Sequence, residues 1–169
     1  MTETKKVILI TAGDPASIST EITIKAIETK KINENIKAVI ITDPNLVKKY
    51  QTKFKNNLEI HIVTDKVNFS DYKDGCFNII PIKLSNKVNF GKPNEDNYSF
   101  IKSSINSSVD ICLNSIASGV VTNPINKYMM KKSGFDFGGH TEYLATLSKV
   151  KKNPVMMLVT SELKTLPLT

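Results

Sequence analysis

Val7-Ile8-Leu9-Ile10 and Ala38-Val39-Ile40-Ile41 are short, β-branched apolar runs, followed by the turn residues Gly13-Asp14-Pro15 and Asp43-Pro44. An uninterrupted apolar run of that length, bounded by turn signals, is the pattern of a strand buried on both faces. Between them, Thr20 to Lys30 carries Ile22, Ala26 and Ile27 at helical spacing, with Thr20 as the expected N-cap. Leu46 to Phe54 reads as a second helix. Leu58 to Val63 alternates and predicts a third strand. Asn78 to Ile82 predicts a fourth, weakened by Pro81, which has no N–H for the ladder.

Residues 64–94 are rich in Asn, Asp, Lys and Gly and predict mostly loop. From Glu95 the period becomes helical. Tyr98, Ile101, Ile105, Val109, Cys112 and Ile116 fall on one face, and Gly119 is expected to stop the helix. Val120-Val121 opens a strand ending at Thr122-Asn123-Pro124, and helices follow over Ile125 to Lys132 and Thr141 to Lys149. Val155 to Val159 predicts a last, strongly apolar strand, and Leu163 to Thr169 a further one with no helix to cover it. Strands alternating with helices predict an α/β fold with a mostly parallel sheet flanked by helices. A sheet edge left bare is a liability, so residues 1–169 are expected to be the N-terminal portion of a longer, truncated protein.

Composition narrows the function classes. The chain has 169 residues, 40% hydrophobic and 23% charged, enough for one domain with a core. No apolar run approaches the roughly 20 residues that span a bilayer. The N-terminal apolar run is too short for a signal peptide, so a cytoplasmic location is expected. Cys76 and Cys112 are distant, carry no partner motif and are expected to be reduced thiols. The net charge of +7 comes from lysines scattered in pairs, without the basic stripe and interleaved aromatics of a nucleic-acid binder. That field suits an anionic metabolite.

Candidate chemistry sits in three loops that follow strands, where α/β proteins bind ligands. Thr11 to Glu21 is small and polar, but lacks both the Gly-Lys-Ser/Thr of a P-loop and the glycines of a dinucleotide fingerprint. A capped tight turn explains it as spaced. Asn126 and Lys127 offer an amide and a cation to a phosphate or carboxylate. A helix start followed by a surface lysine explains them equally. Gly138-Gly139-His140-Thr141-Glu142-Tyr143 lets backbone approach a ligand, and Thr141 is suited to cap a helix and donate to an anion. The residues alone leave His140 open between a functional and a structural role, while His61 reads as an ordinary sheet-face residue.

Taken together, the motifs resemble the 4-hydroxythreonine-4-phosphate dehydrogenase (PdxA) family of vitamin B6 biosynthesis. Gly13-Asp14-Pro15-Ala16 with Glu21, Phe90-Gly91-Lys92-Pro93, Thr122-Asn123-Pro124-Ile125-Asn126-Lys127, Gly139-His140-Thr141-Glu142-Tyr143 and Val155-Met156-Met157-Leu158 follow the family's order across the whole chain. Ser17, Ser19 and Thr20 replace glycines and a proline of the first motif, so no role is carried onto that loop.

The resemblance implies an isocitrate/isopropylmalate dehydrogenase-like α/β fold. It implies NAD(P)-dependent, metal-dependent oxidation and decarboxylation of 4-phosphohydroxy-L-threonine, on the path to pyridoxal phosphate. His140 and Thr141 are the expected substrate contacts; no catalytic residue is assigned. The divalent metal (Zn, Mg or Co) is expected on histidines past Thr169, with no metal ligand in this chain, so the isolated chain is expected to be inactive. A homodimer of the full-length protein is implied, without nucleic-acid or membrane partners. Two alternatives stand beside this reading: a family member acting on a 4-phosphorylated sugar acid such as threonate 4-phosphate, or a non-catalytic domain that binds a phosphorylated ligand.

Overall fold

The computed structural model describes residues 5–29 and 32–167. Strands β1 (Lys6–Thr11), β2 (Ile36–Thr42), β3 (Ile60–Ile62), β4 (Phe77–Pro81) and β5 (Gly119–Val121) form one sheet in the order β3-β4-β2-β1-β5. Every pairing in it is parallel. The helices are α1 (Ser19–Glu28), α2 (Pro44–Phe54), α3 (Tyr98–Leu113), α4 (Lys127–Lys132) and α5 (His140–Leu147). This is the mostly parallel, helix-flanked α/β sheet that the alternation predicts.

β1 is flanked by β2 on one side and β5 on the other, in register Leu9 to Val39 and Leu9 to Val120. The chain therefore reverses its direction of travel across the sheet at β1. In such sheets ligands bind beyond the carboxyl ends of the strands on either side of that reversal. Here those ends carry the Thr11–Glu21 and Thr122–Lys127 loops.

Two apolar layers hold the sheet. Ile40 and Ile79 of the sheet pack with Ile24 of α1, Val47 and Tyr50 of α2, and Ile101, Ile105 and Val109 of α3. Leu9, Val39, Ile41 and Ile80 belong to a second cluster closed by Val63, Phe69 and Ala117. The buried Ser104 hydroxyl of α3 donates to Ile41 O (2.7 Å) and accepts from Ala12 N (2.8 Å), which ties the helix to the ends of β1 and β2. The irregular 64–76 stretch is loop, as predicted, yet it is tightly organised. Asp65 accepts from the backbone of Val67, Asn68 and Ser70, and seats Phe69 in the core.

Several boundaries differ from the sequence pattern. Thr20 does not cap α1; the N-cap position is Ile18, without a side-chain bond, and Thr20 is buried in the first turn. The turn residue Asp43 is the N-cap of α2, accepting from Asn45 N at 2.7 Å ahead of Pro44. β4 is an interior strand rather than an edge, and its proline is tolerated because Pro81 is its last residue. α3 ends at Leu113, before Gly119: Ser115 takes the left-handed turn (φ 59°), and Gly119 instead begins β5. Lys30 and Thr169, the expected ends of the first helix and the last strand, lie outside the described residues.

The largest correction concerns the end of the chain. Val155 to Val159 is not a buried strand. Only Leu158–Val159 (β6) forms a ladder, antiparallel to Lys164–Thr165 (β7), and the pair is a separate two-stranded sheet. Val155, Met156, Met157, Leu158, Val159, Leu163 and Leu166 are all exposed.

Candidate functional site

The first and second loops lock together at the switch point. Gly13 has φ +67°, and a Cβ on it would meet Ser19 Oγ at 2.5 Å, Asn123 Cβ at 2.7 Å and Pro124 O at 2.7 Å. Both the backbone angle and the space therefore require glycine. Asp14 N donates to Pro124 O (3.0 Å), and Ser19 Oγ donates to the same oxygen (2.9 Å). Asn123 N donates to Thr11 Oγ1 (3.0 Å), and its amide Nδ2 donates to Thr11 O and Thr23 Oγ1 (each 2.8 Å). The Phe90–Pro93 turn joins them, Gly91 N donating to Ala16 O at 2.8 Å.

Buried carboxyl and hydroxyl groups complete this knot. Asp14 accepts from Ala16 N at 2.9 Å. Burial pushes its carboxyl above the ordinary value, against the pull of that N–H. The Tyr50 hydroxyl lies 2.6 Å from Ser17 O and 3.1 Å from Pro15 O. Burial, then the nearby Asp14 and Glu21 charges, pushes it up to about 12. Ser17 and Ser19, which depart from the family's glycines, bond to each other at 2.8 Å. The loop thus reads as a self-satisfied structural turn.

The third loop reaches this region through Lys127. Asn126 caps α4, its side-chain oxygen accepting from Met129 N at 3.1 Å, so that oxygen is committed to the fold. Lys127, the next residue, extends to the start of α5: its Cε and Nζ both lie 3.3 Å from the place a Cβ on Gly139 would occupy. His140 begins α5 and Gly139 holds the N-cap position, so Thr141 sits within the first turn and does not cap the helix. His140 is half-buried. Burial, then the Lys127 charge, lowers its pKa, which keeps the imidazole neutral near pH 7. Its Nε2 is buried and has no hydrogen-bond partner in the structure.

What holds α5 in place is a group the sequence reading passed over. Phe135, Phe137 and Tyr143 pack as a triad with ring centroids 4.9–5.1 Å apart. The Tyr143 hydroxyl donates to Asn106 of α3 at 2.6 Å. The aromatic spacing around Gly138-Gly139 was visible, but its convergence with Asn106, which lies far back in the chain, was not.

The structure therefore brings the start of α5, with His140 and Thr141, next to Lys127. His61 sits apart in edge strand β3, opposite Asn78. Cavities of about 640 Å³ around Lys48 to Leu58 and about 570 Å³ around Lys5, Tyr72 and Cys76 lie elsewhere. The second is at the amino ends of β1 and β2. Neither has the convergent strand-end loops that mark a ligand site in this topology. Among the described residues no group of three or more His, Cys, Asp or Glu is placed to hold a metal ion. The cationic neighbour of His140 also disfavours one there, so these residues do not fit a metal centre. The first loop offers no dinucleotide cradle, its backbone being engaged by Pro124 and Gly91. No helix among the described residues is long and apolar enough to cross a membrane.

Comparison with known proteins decides the family. A sequence model described as "Pyridoxal phosphate biosynthetic protein PdxA" matches residues 34–169. The chain belongs to the PdxA family. It is similar to a 4-hydroxythreonine-4-phosphate dehydrogenase of Wigglesworthia glossinidia brevipalpis, 33% identical over 157 residues, covering 93% of this chain and 46% of the relative. A like-named protein of Trichlorobacter lovleyi is 29% identical over 160 residues, covering 94% and 47%. The crystal structure of a 4-hydroxythreonine-4-phosphate dehydrogenase from Burkholderia phymatum shares the fold, with TM-score 0.84 at 23% identity, over 95% of this chain and 48% of that one. The chain spans about half the length of the curated relatives it matches. A PdxA-family fold accounts for the strand order.

Proposed function

We propose that this chain contributes the His140–Thr141 substrate contacts of a 4-hydroxythreonine-4-phosphate dehydrogenase. The reaction is the nicotinamide-linked oxidation of the secondary alcohol of 4-phosphohydroxy-L-threonine, with loss of CO2 from the resulting β-keto acid, in pyridoxal phosphate biosynthesis. The observation that carries the reading is the placement of Gly139-His140-Thr141 at the start of α5, beside the strand-end loops. The similarity to named dehydrogenases supports it. NAD(P) and a divalent metal are the cofactors of this reading, in a cytoplasmic homodimer. The described residues do not form a metal site, so no step is assigned to the metal here.

The chain's own contribution is binding and orientation. A neutral His140 can donate a hydrogen bond from one ring nitrogen and accept at the other. The Thr141 hydroxyl and the first-turn N–H groups of α5 face an anion favourably. Holding the alcohol carbon and the acidic groups of the substrate in one geometry lowers the entropic part of the barrier.

The test is steady-state kinetics of the full-length enzyme carrying His140→Ala, followed by reduction of NAD(P) with 4-phosphohydroxy-L-threonine. kcat/KM is expected to fall more than tenfold, about 1.4 kcal/mol or more. Unchanged kinetics would make His140 structural. Turnover of threonate 4-phosphate in preference would move the assignment to a sugar acid.

A further inference from the structure

Lys127 places its ammonium beside the start of α5, Nζ lying 3.3 Å from the Cβ position of Gly139. Its place is dictated from both sides. Behind it, Asn123 pins the loop to β1 and α1 through three hydrogen bonds, and Asn126 caps α4. Ahead of it, Gly139 gives it room. Gly139 has φ 171°, an extended backbone open to any residue, so its glycine is not required by conformation. A methyl group there would come within 3.3 Å of Lys127 Cε and Nζ, the free end of a flexible side chain, which would have to shift by a few tenths of an ångström.

Lys127 is also left without an ion pair among the described residues. The Glu142 carboxylate comes within 3.9 Å of the same Gly139 position, yet does not close a salt bridge with Lys127. The ammonium, the α5 N-terminus and the unpartnered imidazole of His140 thus crowd one small area. An uncommitted cation beside a helix N-terminus and a neutral imidazole is complementary to an oxyanion.

We propose that Lys127 is a substrate-positioning residue that holds an oxyanion of the substrate, its phosphate or its carboxylate, at the start of α5. This rests on the reading of His140 and Thr141 as substrate contacts. It adds a specificity element: a neutral analogue lacking the anion loses this contact, whereas the alcohol chemistry is untouched. Arginine can replace the lysine in part, since it keeps the charge.

The experiment is a titration of the 15N-labelled 169-residue chain with inorganic phosphate and, separately, with acetate, read by NMR at the amides of Gly139 to Thr141. Phosphate is expected to shift these amides. Lys127→Met is expected to weaken binding about tenfold, the size of one exposed charge-assisted hydrogen bond, and Lys127→Arg to recover most of it. The same Lys127-dependent response to acetate alone assigns the contact to the carboxylate end. Silent amides with both anions, or equal binding by wild type and Lys127→Met, overturns the proposal. Lys127 is exposed, so the variants keep the fold, which the unchanged amide spectrum elsewhere verifies. Because no nicotinamide or phosphorylated amino acid is used, anion binding through Lys127 stands or falls separately from the substrate named above.

Discussion

β1 and the 155–159 stretch are almost interchangeable as strings of letters, and the fold treats them oppositely. Both are short and apolar, Val-Ile-Leu-Ile in β1 and Val-Met-Met-Leu-Val in the other. Leu9 in β1 is 0% exposed, whereas Leu158 is 57% exposed. The difference is neighbours. β1 has a parallel strand on each side and a layer of side chains on each face. β6 pairs only with the two residues of β7, and both of its side chains stay exposed. Apolar area stabilises by about 25 cal/mol per Å² only when something removes it from water. The same composition therefore makes a core in one place and an exposed apolar surface in the other.

Three substitutions sharpen that contrast. Leu9→Ala should be the most damaging, costing roughly 2–5 kcal/mol through a cavity in the second apolar layer, measured by urea denaturation. A cost below about 1 kcal/mol would mean that β1 is no better supported than β6. Gly13→Ala comes next. The left-handed angle and the backbone oxygen of Pro124 at 2.7 Å leave no relaxation, and a loss of about 1–3 kcal/mol is expected. A neutral result would show that the two strand-end loops are not locked. Leu158→Ser should do least, within about 0.5 kcal/mol, since the side chain it removes is already in water. A loss comparable to that of Leu9→Ala would reveal a partner surface over the 155–166 segment.

The same contrast explains how much was legible beforehand. β1, β2, α2 and α3 announce themselves, because buried strands and amphipathic helices have a local period and turn residues at their ends. Helix caps were less legible. Thr20 and Thr141 have the chemistry of caps, yet each lies inside the first turn, since Ile18 and Gly139 take the capping positions. Asn126 and Asp43 do cap, as their side-chain bonds to Met129 N and Asn45 N show. Local chemistry marks where a helix begins within a residue or two, but packing selects the register.

At the site, the sequence by itself determined the ingredients: a glycine loop at Gly13, an Asn-Lys pair at Asn126-Lys127, a Gly-Gly-His-Thr start to α5, and through their order a resemblance to one family. It could not choose between a surface lysine and a ligand cation, or between a core histidine and a contact. The tertiary structure supplied the neighbours on which those readings rest. The reversal of strand order at β1 joined loops more than a hundred residues apart in sequence, through Asn123 and Thr11. The aromatic triad and Asn106 fixed α5 where Lys127 could reach Gly139. Periodicity is a property of neighbours along the chain, so it reads elements well. Burial, charge proximity and room for a side chain are properties of neighbours in space, and only the folded chain supplies them.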